Sequence, residues 1–260
     1  MTTLFDIMLS LAGFMAPLDT GQATQSSQIA LVDEGAQFSE DQVGGTIFVL
    51  DGPLEGYALK VNSRTSATRL NFSDLDITLE EGNRYAVANK DYPRTALEMA
   101  VNEALRSLPF TREEDDVLET VDRQTEYVLP EGIREVMRVW KATNLTEPYD
   151  YQELFHWDDE HGELRFPVGW APVGDGYKLK LEFVPTQERK TDEADELPAK
   201  LDDQLVLWTA AVWLCRDGMM RFQNDAKRDL GNKTNEALAR QAEVKRKYRR
   251  PQRSARPADY

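Results

Sequence analysis

The chain has 260 residues, 41% of them apolar, and a formal net charge of −15. That is enough apolar material for one large or two ordinary cores. It excludes wholesale disorder, and so acidic a body does not by itself seek the phosphates of DNA. The single cysteine, Cys215, excludes an internal disulfide and any cysteine-built zinc or iron–sulfur centre.

Residues 3–15 set Leu4, Ile7, Met8, Leu11 and Met15 at helical spacing, which predicts a short helix that needs a partner for its apolar face. The N-terminus lacks a basic stretch and carries Asp6, so a packed helix is expected there rather than a signal peptide. "APLDTGQATQSS" (16–27) reads as a linker. Residues 28–88 hold β-branched and aromatic runs broken by Gly44-Gly45, Asp51-Gly52 and Glu81-Gly82-Asn83, the pattern of a small antiparallel β domain.

Residues 93–107 form the clearest helix, with Pro93 near its start and Leu97, Val101, Ala104, Leu105 and Leu108 on one face. "TREEDD" (111–116) reads as a solvated connection or a helix start. Strands are expected at 123–130 and 134–143, turned by Pro130 and Gly132, and 144–161 reads as a mixed segment with packed aromatics. "ELRFP" (163–167) and "YKLKLEFVP" (177–185) look like a paired hairpin, the second alternating Tyr177, Leu179, Leu181 and Phe183 against Lys178, Lys180 and Glu182.

After a charged loop (187–200), a helix at about 201–222 is apolar nearly all round and should be central. Its longest apolar run, "LVLWTAAVWL" (205–214), has half the length a bilayer crossing needs, about 20 residues. A last helix at about 225–248 has sparse apolar positions and is covered on one side only, or projects. The expected fold class is α+β: a helical bundle core with an antiparallel β region (123–185), an additional small N-terminal β domain (28–88) and an extended basic C-terminal tail.

That tail, residues 245–260, carries seven Lys or Arg and one acid, Asp259, a net +6, so residues 1–244 carry −15 − 6 = −21. Charge sorted in this way suits docking on an acidic surface, crossing to a neighbouring subunit or lining a nucleic-acid channel; a solubilising end is the plainer reading, but an acidic body needs none.

Candidate chemistry elsewhere is thin. His156 and His161 lie in a loop with Asp158, Asp159 and Glu160, without a rigid element to hold metal ligands. Cys215 sits inside the apolar helix, where cysteine serves as a small hydrophobe. Asp202-Asp203 suits a helix N-terminus, and the acids at 113–116 suit solvent. No phosphate-cradling loop, zincin motif or nucleophile elbow is present. Trp208 and Trp213 read as core; Trp157 and Trp170 flank loops and are candidates for an interface.

The order of "YPRTALEMAVNEAL" (92–105), "YVLPEGIREVMRVW" (127–140, a strand pair), "GELRFP" (162–167), "GYKLKLEFVP" (176–185), "DELP" (195–198), an apolar helix and a basic Arg/Pro-rich end resembles the head–tail connector, or portal adaptor, proteins of tailed bacteriophages over roughly residues 90–255. The resemblance implies a structural virion protein without catalytic residues, cofactor or metal. It implies twelve copies forming a ring beneath the portal protein, extending the channel for packaged double-stranded DNA and seating tail or tail-tube proteins. Its place would be the neck of the virion, after assembly in the host cytoplasm and with no membrane involved. Portal docking would fall on Lys245, Arg246, Lys247, Tyr248, Arg249, Arg250, Arg253 and Arg256. The segment 1–16 and the β region 28–88 stand outside the core (89–244) that the resemblance implies. Competing readings are a tail-terminator or other neck protein, a nucleic-acid-binding module using the tail, and a carboxylate hydrolase.

Overall fold

The structure is a computed structural model that describes residues 2–108, 112–198, 201–221 and 225–246. The chain divides into two compact units, one formed by residues 1–108 with 189–248, the other centred on 109–188.

In the first unit, helix α1 (Leu4–Met15) begins with a reciprocal cap. The Thr3 hydroxyl accepts from the Asp6 amide at 3.3 Å, and the Asp6 carboxylate accepts from the Thr3 amide at 2.8 Å. Seven of its twelve residues are buried, so it is an interior helix rather than a half-covered one. It packs against α2 (Arg94–Ser107) and α3 (Asp203–Arg221). Phe14 meets the edge of Trp208 at 5.2 Å, and Cys215 Sγ lies 3.6 Å from Met15 Sδ. α4 (Asp225–Lys245) packs on α3. Asp202 starts α3 by accepting from the amides of Gln204 and Leu205.

Two small antiparallel sheets complete this unit. One has the order β1 (Asp19–Gln22), β7 (Arg84–Ala88), β3 (Thr46–Val49), β4 (Ala58–Lys60). The other has the order β2 (Ala30–Val32), β6 (Arg69–Asn71), β5 (Ser63–Ser66). Leu31, Ile47, Leu54, Leu70, Leu79 and Tyr85 share one core. Phe48 meets Phe5 of α1 edge-on at 5.7 Å. Burying an aliphatic or aromatic side chain in this way contributes about 1.5–3 kcal/mol each. The linker reading of 16–27 is corrected at β1, which pairs with β7 from Asp19↔Val87 to Gln22↔Arg84. Its polar sequence hid a strand whose backbone has a ready partner.

Among the described residues, the regular elements of the second unit are all strands. A four-stranded antiparallel sheet runs β11 (Tyr151–Leu154), β10 (Ile133–Ala142), β14 (Lys178–Pro185), β8 (Arg112–Glu119). A three-stranded one runs β12 (Asp158–Glu160), β13 (Glu163–Arg165), β9 (Glu126–Val128). Val136, Val139, Trp157, Leu164, Leu179 and Leu181 are buried in its core.

Three expectations are corrected here. The acidic run at 111–116 belongs mostly to β8, an edge strand formed by pairing with β14. The segments "ELRFP" and "YKLKLEFVP" are not a hairpin: β13 pairs with β12 and β9, while β14 pairs with β10 and β8. β9 and β10, though adjacent in sequence, lie in different sheets. The alternation of β14 holds for Leu179, Leu181 and Phe183, but Glu182 on the opposite face is also buried, 3.5 Å from Arg138.

Candidate functional site

α4 carries the chain towards its basic end, and its sequence explains how it lies. Leu230, Thr234, Ala237 and Val244 recur at three, four and seven residues and are buried, while most of the remaining positions are exposed. Gln241 Nε2 donates to Thr209 Oγ1 of α3 at 2.7 Å, and the Arg240 guanidinium lies 4.8 Å from the Trp208 ring centre. The helix is thus covered along one side.

The basic residues of α4 do not all serve one purpose. Lys233 is paired with Asp229 at 3.1 Å and donates to the carbonyl of Met15, which ends α1. Arg240 is paired with Glu236 at 2.8 Å. Both are occupied within the fold. Lys245 and Arg246 are exposed at the helix end, where positive charge is favoured by the dipole. Of the tail residues expected to act together, these two are described. Lys247, Tyr248, Arg249, Arg250, Arg253 and Arg256 lie outside the described residues.

The other candidates resolve into structural roles. His161 (φ 53°) and Gly162 (φ 82°) form the two-residue turn between β12 and β13, a turn that needs positive φ at both positions. His156 lies with its ring 3.9 Å from that of Trp170. Asp159 accepts from the Val136 amide at 2.7 Å. Among the described residues, no group of three or more His, Cys, Asp or Glu side chains is placed to hold a metal ion. Burial pushes the Cys215 thiol pKa up, which suppresses the thiolate. Asp203 accepts from the Thr2 hydroxyl, and Asp202 is the cap of α3. The side chains of the acids at 113, 115 and 116 lie outside the described residues.

The tryptophans redistribute. Trp157 is 1% exposed and belongs to the core of the second unit, with its Nε1 donating to the Leu154 carbonyl at 3.2 Å. Trp170 is half exposed, Trp208 is buried, and Trp213 is only partly covered. Among the described residues, no helix is long and apolar enough to cross a membrane.

The acids and histidines placed above serve in a helix cap, a turn, a ring contact and hydrogen bonds to an amide and a hydroxyl. A family model described as SU10 adaptor protein matches residues 70–258. The chain belongs to that family, and is therefore a bacteriophage virion component of the head–tail connector, or adaptor, class. The match begins within β6, so it takes in part of the N-terminal β region and reaches further towards the N-terminus than residue 90. No curated protein matches the chain.

Proposed function

We propose that twelve copies of this protein form a ring beneath the portal, continuing the channel through which double-stranded DNA passes and seating tail or tail-tube proteins. The observation that carries this reading is the sorting of charge. A body at −21 ends in a helix whose last exposed residues, Lys245 and Arg246, open a tail of net +6. Such a tail docks by charge, through several ionic contacts repeated around the ring. Lys245, Arg246, Lys247, Tyr248, Arg249, Arg250, Arg253 and Arg256 are the residues that engage the portal. Residues 89–244 are the connector core, with 1–16 as an N-terminal helix and 28–88 as an additional β domain. The free protein is a monomer in the host cytoplasm and becomes a ring at the neck of the particle, where the portal acts as template.

The test is to mix the purified chain with portal rings and count copies by imaging. Twelve-fold occupancy supports the reading. Closure into a six-fold ring on a tail tube, with no portal binding, replaces it with a tail-terminator.

A further inference from the structure

The second unit concentrates exposed apolar side chains. Seven of the thirteen large hydrophobics that stand exposed among the described residues lie between Val121 and Val173. Scattered singly such residues need no explanation, but gathered on rigid loops they mark an interaction site.

Sheet register shows where they gather. Ala142 pairs with Tyr151 at the end of β10, and Lys178 pairs with Glu119 at the start of β14. The segments 120–125, 143–150 and 166–177 therefore all leave the same end of the four-stranded sheet. Val121 (52% exposed), Leu145 (57%) and Val173 (65%) stand one on each.

These loops are laced together. Thr120 Oγ1 donates to the Gly174 carbonyl at 2.6 Å and accepts from the Tyr177 amide at 3.0 Å. Asp122 and Asp175 each accept an amide from the other's loop, Gly174 N at 2.8 Å and Asp122 N at 2.7 Å. Lys141 Nζ, lying over the Tyr177 ring at 4.1 Å, donates to the Val173 carbonyl at 2.6 Å. The third loop is closed by Asn144, which donates to the carbonyls of Thr146 and Pro148 and accepts from the Asp150 amide. Leu145 reaches towards Gly176, within 3.9 Å of where a Cβ there would stand. The tip is held in one shape before any partner arrives, which removes much of the ordering cost of binding.

Its margin is acidic. Asp122, Glu147, Asp150 and Asp175 are exposed on these loops, against Arg123 alone. We propose that this three-loop tip docks a protein partner whose contact surface is apolar at its centre and basic at its rim. A second copy of the same face is disfavoured, because it would set these carboxylates against one another. The inference rests on the adaptor reading only for the choice of probes, and it concerns residues other than those of the basic tail.

The test measures binding of the full-length chain to each purified structural protein of the virion. Val173 and Leu145 are exposed, so the double variant V173D/L145D keeps the fold, which circular dichroism verifies. The expected result is one component that binds wild type, weakens with added salt and loses at least about tenfold in affinity to V173D/L145D. Glu147→Lys should weaken the same complex and flatten its salt dependence, while both variants load on portal rings as wild type does. Equal affinity for wild type and V173D/L145D would overturn the proposal. So would the absence of any binding component, or self-association of the chain that V173D abolishes. Failure of ring loading by wild type would instead count against the adaptor ring and leave the solution measurement intact.

Discussion

Asn102 and Lys190 exchange two hydrogen bonds: the Asn102 side-chain amide donates to the Lys190 carbonyl at 2.8 Å and accepts from its amide at 2.7 Å. A side chain thus takes the place of a neighbouring strand for a passing loop. The same nitrogen also donates to the Glu98 carbonyl one turn back, so the amide is held from both sides in a site only 4% exposed. The loop continues beside the helices. Arg189 pairs with Glu98 and Arg94 with Glu193, both at 2.8 Å. The carbonyls of Glu193 and Asp195 accept the first free amides of α1, from Phe5 and Leu4. The charged loop is therefore a strap that satisfies helix ends.

Replacing Asn102 with Ala leaves the Lys190 amide and carbonyl without these partners in a covered site. The expected loss is about 2–3 kcal/mol for two hydrogen bonds and the stranded groups. Denaturant unfolding should show a lower midpoint with an unchanged slope; an unchanged midpoint would mean that the strap is held by its ion pairs and its main-chain bonds to α1 without Asn102.

A second test lies where β1 crosses β7. Tyr85 donates to Asp33 Oδ2 at 2.6 Å in a buried site, and the Gly21 backbone lies against the pair. A Cβ on Gly21 would sit 2.5 Å from both the Asp33 carboxylate and the Tyr85 hydroxyl. Gly21→Ala should cost about 1–3 kcal/mol through crowding. Tyr85→Phe should cost about 1.5–3 kcal/mol by removing a donor from a buried carboxylate. The double variant should lose less than the sum, because removing the Tyr85 hydroxyl relieves part of the clash. Strict additivity in thermal unfolding would contradict the shared site.

The same tyrosine gives a pH dependence. Burial first, and then the hydrogen bond to Asp33, push its pKa well above the ordinary value of 10.0. Burial pushes Tyr92 up to about 12. Both pKa values are raised on folding, so this contribution is whole below pH 10 and is lost as pH climbs towards the folded values. Tyrosinate absorbance should therefore show, of nine tyrosines, a class that ionises only as circular dichroism is lost. Tyr85→Phe should shrink that class. Ionisation of all nine with the fold intact would contradict the burial.

Cys215 offers a reporter for the first unit. It is 0% exposed and is the chain's one thiol, seated against Met15. An aromatic disulfide reagent should leave the native chain unmodified for as long as the α1–α3 contact persists, and Asn102→Ala should speed the reaction by lowering the cost of opening. Immediate stoichiometric labelling of the native protein would contradict the packing.

Much of the helical layer was legible in the sequence. α2, α3 and α4 follow from apolar spacing and from the prolines and acids at their ends, and in β14 the alternation of Leu179, Leu181 and Phe183 survives into the core. β8 was not legible, because "REEDDVLE" has no apolar period and becomes a strand through the backbone of β14. Nor was the partner of β13: its three residues pair with Glu126–Val128, far back in the chain, and nothing in their composition prefers that strand to β14. The strap at 189–197 was visible as charge, but its grip on α1 runs through main-chain atoms that any sequence possesses. At the candidate site, the basic end was legible as a count of charges. That Lys233 and Arg240 are already paired required the neighbouring turns of the helix to be in place.

The most direct test of the adaptor account compares the full-length chain with one ending at Val244, each mixed with portal rings and imaged. The account predicts that the full-length protein adds twelve copies, that this binding weakens with salt, and that the shortened chain, still folded, fails to bind. Equal loading of the portal by both chains would contradict the role given to the basic end.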